Sequence, residues 1–133
     1  MALVSYQTPT SEVLPLAEEW DGSAWAAQNI PALPAASSLG GVSCSSPDAC
    51  TAVGYQDIGG NPAALVVAWD GTTWAVQKTP LLTSISSLDA VSCSSAKACT
   101  AVGSQYIGGV EAPLAERWDG TTWAVQKLSL IHI

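Results

Sequence analysis

The sequence has no Phe, one His and only four Lys and Arg among its 133 residues, against eleven Asp and Glu. So few cations, with a formal charge of −7, exclude a nucleic-acid binder, because neutralising phosphates needs clustered Lys and Arg. The lone His132 lies near the end of the chain, which leaves a Ser-His-Asp triad or a His-based metal centre without a credible member. No uninterrupted apolar run approaches the roughly 20 residues of a membrane-spanning helix. Residues 1–6 have neither a basic start nor a long apolar stretch, so they do not read as a signal peptide. No segment sustains a 3.6-residue apolar period, and helix is expected to be scarce. The composition is nevertheless not that of a disordered chain. It is 48% hydrophobic and 11% charged with six Trp, and its length suits one domain with a core.

What the chain does have is repetition. WDGTTWAVQK occurs at 69–78 and again at 118–127, and a weaker copy starts at Trp20. Successive copies are 49 residues apart, as are Cys44 from Cys93 and Cys50 from Cys99. A fixed period of this length means that one small supersecondary unit is copied, as in solenoids and propellers.

The most complete copy reads as four strands. Residues 88–93 and 99–103 flank a small, polar turn, and Gly108-Gly109 reverses the chain before a third strand at 113–118. Asp119-Gly120 is a strong hairpin signal, and 122–127 is rich in residues that favour a pleated surface. Three connections are short, while the one between repeats is longer and contains Pro80. Four antiparallel strands in a meander followed by one long crossover is the plan of a propeller blade. The expected fold is therefore all-β, with β-propeller blades on a 49-residue repeat and about 2.7 blades per chain. A β-trefoil is the alternative, although it needs three complete repeats.

Runs such as VSCSSAKACTAVG followed by LAERWDGTTWAVQ resemble the tandem blades of secreted bacterial β-propeller proteins, over nearly the whole chain to Lys127. The turn is also similar to the Asp-box of sialidase-like propellers, S-x-D-x-G-x-T-W. It is one residue shorter, however, and no Ser stands two before Asp70 or Asp119. That similarity is taken as shared hairpin physics and not as sialidase chemistry. The resemblance implies a partial propeller over 1–127, with an incomplete blade at 1–30 and blades at 31–79 and 80–127. Aligned without gaps, Met1 falls on the position of Cys50 and Cys99, so the chain is expected to start at a second strand and to hold three, four and four strands. The closing residues Leu128-Ser129-Leu130-Ile131-His132-Ile133 break the repeat and resemble translated sequencing-adapter sequence. They read as a non-native tail, and the chain as a slice of a longer array.

The recurring residues have two readings each. Asp21, Asp70 and Asp119 with Gly22, Gly71 and Gly120 occupy one hairpin turn in every copy. A catalytic carboxylate is placed once because its surroundings tune it. Copied Asp residues are better explained as acceptors for their own turn, with Gly supplying a positive φ. The pairs Trp20/Trp25, Trp69/Trp74 and Trp118/Trp123 bracket those turns. Packing is the first reading, because large aromatics dominate cores, and a platform for stacking sugar rings is the second. Cys44/Cys50 and Cys93/Cys99 flank five-residue segments and are expected to form intrablade disulfides, which suggests an oxidising compartment. Free buried thiols, or zinc at a spacing wider than usual, are the alternatives. Glu18, Glu19, Glu116 and Arg117 could be read as a glycosidase carboxylate pair, but Leu65-Val66-Val67-Ala68 replaces them in the middle copy, so they are expected on a solvated strand face.

No cofactor is expected. Two function classes stay open: a non-catalytic binding or scaffold module, carbohydrate-binding in a lectin-like manner, or a fragment of a secreted glycosidase-type propeller enzyme. The lack of a unique polar constellation favours the first. Eleven strands are fewer than a closed ring uses, so open edges and bare sheet faces are expected to draw in a second copy as a homodimer. A glycan is the other expected partner, and the parent protein is expected to be secreted.

Overall fold

In the computed structural model, residues 2–7, 13–20, 22–28, 37–80 and 85–126 are described, and in the first sheet side chains only at 18–20 and 22–26. Within these residues all regular structure is strand: β1 (Ala2–Gln7), β2 (Val13–Trp20), β3 (Trp25–Gln28), β4 (Ser37–Ser46), β5 (Ala49–Ile58), β6 (Asn61–Trp69), β7 (Trp74–Gln77), β8 (Ser86–Ser95), β9 (Ala98–Ile107), β10 (Val110–Trp118) and β11 (Trp123–Val125). They form three antiparallel meanders: β1-β2-β3, β4-β5-β6-β7 and β8-β9-β10-β11. The division into three, four and four strands is the one that the offset of Met1 predicts. Asp21 and the tail 128–133, with His132, lie outside the described residues.

The two complete sheets are built alike because their sequences are alike. Gly59-Gly60 and Gly108-Gly109 make two-residue turns between long strands, pairing Ile58 with Asn61 and Ile107 with Val110. The first strand of each sheet carries two β-bulges. Pairing shifts by one residue between Leu39 and Gly41 and between Cys44 and Ser46, and likewise between Leu88 and Ala90 and between Cys93 and Ser95. Beside the first bulge the backbones close so tightly that a Cβ on Gly54 would overlap the Ser38 carbonyl oxygen, and one on Gly103 that of Ser87. Glycine is required there by space and not by φ.

Strand alternation gives each sheet two faces, and the sheets stack face to face. We call the side toward the preceding sheet the front and the other the back. The second sheet buries Leu39, Cys50, Ala52, Leu65, Val67 and Trp74 on its front. Its back contributes Val53, Ala64 and Val66 to a core shared with Leu88, Cys99, Ala101, Leu114 and Trp123 from the front of the third sheet. Polar groups tie the same two faces together. The Ser86 hydroxyl accepts the Ala64 N–H at 3.0 Å, and the Ser43 hydroxyl accepts the Cys93 N–H at 3.0 Å. The first sheet approaches the second through β1 and β2, which run near β4. Each buried aliphatic side chain in these faces contributes roughly 1.5–3 kcal/mol relative to exposure.

Candidate functional site

One cross-strand row recurs in each complete sheet. Cys44 pairs with Cys50, Cys50 with Trp69, and Trp69 with Trp74; in the third sheet the row is Cys93, Cys99, Trp118 and Trp123. Because all four positions share a register, their side chains project from the same face. Cys44–Cys50 and Cys93–Cys99 are disulfides, each with a Cα separation of 4.0 Å, and no cysteine is free. Bridging so short a loop contributes about 2.4 kcal/mol of chain entropy.

The Trp pairs face each other across four residues, Asp-Gly-Thr-Thr in the two complete sheets and Asp-Gly-Ser-Ala between Trp20 and Trp25. Ring centroids are 5.5 Å apart for Trp20–Trp25 and 5.7 Å for the other two pairs, tilted by 37–50°. Asp70 Oδ1 accepts the Thr72 and Thr73 N–H groups at 2.9 and 2.8 Å and the Thr72 hydroxyl at 2.8 Å. Asp119 Oδ1 accepts the Thr121 and Thr122 N–H groups, both at 2.8 Å. The following Gly71 and Gly120 have φ of 100° and 98°, and Gly22 has 101°, a region other L residues rarely enter. These bonds favour the charged carboxylate. The Thr73 N–H, followed by the Thr72 groups, holds Asp70 down to about 2, and the Thr122 and Thr121 N–H groups lower Asp119. A carboxylate so held is a poor proton carrier near neutrality and a good turn lock.

The six Trp side chains differ sharply in exposure. Trp74 and Trp123 are buried, Trp69 and Trp118 half-buried, and Trp20 and Trp25 are 49% and 52% exposed. Trp123 reaches across to the second sheet, where its Nε1 donates to Gln77 Oε1 at 2.8 Å. Trp118 Nε1 donates to the Ala96 carbonyl at 3.2 Å. Around these two rings the junction of the sheets opens into a groove of about 460 Å³, lined by Gln77, Lys78, Thr79, Pro80, Trp118, Thr121, Thr122 and Trp123. A second hollow of about 260 Å³ lies against both disulfides, with Trp69, Asp70, Gln77 and Trp118 in its walls. Trp118 and Gln77 border both, so an aromatic plane, an amide and hydroxyls converge at one place. Among the described residues no group of three or more His, Cys, Asp or Glu could hold a metal ion.

Glu116 departs from expectation. It does not lie on a solvated face: it is fully buried, and neither carboxyl oxygen has a hydrogen-bond partner. Alternation along β10 puts Leu114, Glu116 and Trp118 on the front and Arg117 on the back, where Arg117 is exposed. Burial pushes the Glu116 carboxyl up to about 7. The signal was in the repeat, because Glu116 stands 49 residues after Val67, a core residue of the second sheet. Glu116 lines neither the groove nor the hollow.

No protein-family model matches the chain, and no curated protein or solved structure matches it.

Proposed function

We propose that the chain is a non-catalytic binding and scaffold module of secreted β-propeller blades, carbohydrate-binding in a lectin-like manner, whose copies associate to complete a ring. The observation that carries the ligand reading is the groove at the sheet junction. There the Trp118 ring is fixed by its bond to Ala96, beside the Gln77 amide and the Thr79 and Thr122 hydroxyls. Such a set suits a sugar, whose ring face is apolar and whose edge is hydroxylated. The pairing of all four cysteines in disulfides is compatible with an extracellular setting.

Hydrolysis has one observation in its favour: the raised carboxyl of Glu116 has the protonation of a general acid near neutral pH. That group is sealed between two sheets, however, away from the groove where a substrate could reach. Binding is therefore the stronger reading. Glycan-array binding by oxidised protein, followed by titration calorimetry on the best ligand, tests it. The expected result is binding without turnover that weakens at least tenfold in Trp118→Ala. Absence of any glycan binding, or hydrolysis that disappears in Glu116→Gln, would overturn it.

A further inference from the structure

The stack of sheets ends in two faces that the interior of the same chain already pairs. Inside the molecule the front of the third sheet sits on the back of the second. Trp123 is buried there and donates to Gln77, while Val53 on the receiving side is 0% exposed. At one end of the chain the same front recurs uncovered. Trp25, the counterpart of Trp74 and Trp123, is 52% exposed, and Trp20 is 49% exposed. At the other end the same back recurs uncovered. Val102, the counterpart of Val53, is 46% exposed, and Gln126, the counterpart of Gln77, is exposed with its Nε2 donating to Ala124, leaving Oε1 to accept.

From this continuity we infer that the front of the first sheet docks on the back of the third sheet of a second copy of the chain. Trp25 then packs beside Val102 and donates its Nε1 to Gln126, as Trp123 does to Gln77. This inference rests on the assembly part of the function proposed above and names its surfaces. Charge supports the pairing. Glu18 shares the open front with Trp20, whereas on the open back Arg117 stands where the second sheet has Ala68. The internal contact carries the equivalent carboxylate, Glu116, without a partner, whereas the open back offers Arg117 to an incoming Glu18. The contact is heterologous, since two different surfaces meet, so each copy offers one of each.

That asymmetry makes the test specific. Trp25→Glu spoils the front and Val102→Glu spoils the back; both residues are about half exposed in the single chain, so its fold should tolerate either change. By sedimentation velocity at tens of micromolar, the unmodified chain should associate, and each variant alone should associate about 30-fold more weakly, the effect of losing one central contact. An equal mixture of the two variants should recover pairing, because an intact front meets an intact back. If a Glu variant fails to fold, Trp25→Gln and Val102→Thr carry the same test. Association that persists in either variant alone would overturn this interface while leaving assembly standing. An unmodified chain that stays single would remove assembly itself.

Discussion

The second and third sheets share a strand order, two bulges, a disulfide and a Trp hairpin, yet they live in different surroundings. Among the described residues, the second has neighbours on both faces and the third on one. Val53 is 0% exposed and its counterpart Val102 46%; Val67 is an apolar core residue and its counterpart is Glu116, a buried carboxyl with no partner. The comparison teaches that the repeat writes the sheet, while the neighbouring sheet decides what burial is worth. The bulges, disulfide and Asp turn depend on contacts inside one unit and recur unchanged. Exposure of the same side chain depends on the stack.

The largest effect should come from removing the same ring in two environments. Trp123→Ala empties a place between two sheets and is expected to cost about 3–5 kcal/mol. Trp25→Ala, in dilute protein, should stay within about 0.5 kcal/mol, as surface changes do. Chemical denaturation of both checks the contrast, and equal losses would break it.

Next comes the one position where the third sheet departs from the second. In the folded chain Glu116 keeps its proton up to about pH 7, while in the unfolded chain it releases it near 4.5. Stability due to this group is therefore full below about 4.5 and falls as pH rises to about 7. The drop is on the order of 3 kcal/mol. Glu116→Val, the residue that the second sheet uses, should be the more stable protein at pH 8, and Glu116→Gln should flatten the pH dependence between 4.5 and 7. Melting curves across that range that are parallel for all three proteins would contradict the buried, unpaired carboxyl.

The smallest effect lies in the shared turn and has the opposite sign. Asp70 is lowered from 3.8 to about 2 by the N–H groups that it accepts, so its contribution is present above 3.8 and is lost as pH falls through 2. Asp70→Asn should lower stability modestly at pH 7, where the charged form contributes, and blunt the acid destabilisation in that window. Solvent screens this exposed group, so the effect stays below that of Glu116. An unchanged acid limb would mean that the turn does not need the charge.

Much of this architecture is legible in the sequence because it is local. The 49-residue period, the Cys-x5-Cys pairs and the Asp-Gly turns each imply a hairpin within a few residues. The bulges were not legible. A bulge adds one unpaired residue with no required side chain, so Gly40 and Asp89 can occupy equivalent places. The five residues between paired cysteines also hide a tighter turn. Ser46 pairs with Ala49 and Ser95 with Ala98, leaving two-residue tips at Pro47-Asp48 and Ala96-Lys97. Both strand pairs therefore run past the disulfides. Glu116 was misplaced because a Glu-Arg pair on one strand looks solvated until alternation sends the two side chains to opposite faces. The groove around Trp118 could not be read from one copy, since Gln77 and Thr79 come from the preceding unit.

In the proposed assembly, the two open faces of this chain repeat the two halves of a contact that it already makes internally. Light scattering on size-separated, oxidised protein over a range of concentrations tests it most directly. The expected result is a compact species of twice the 13.6 kDa chain mass, dissociating only on dilution. A compact, stable species of one chain mass at every concentration up to about 100 µM, far above common interface affinities, would contradict it.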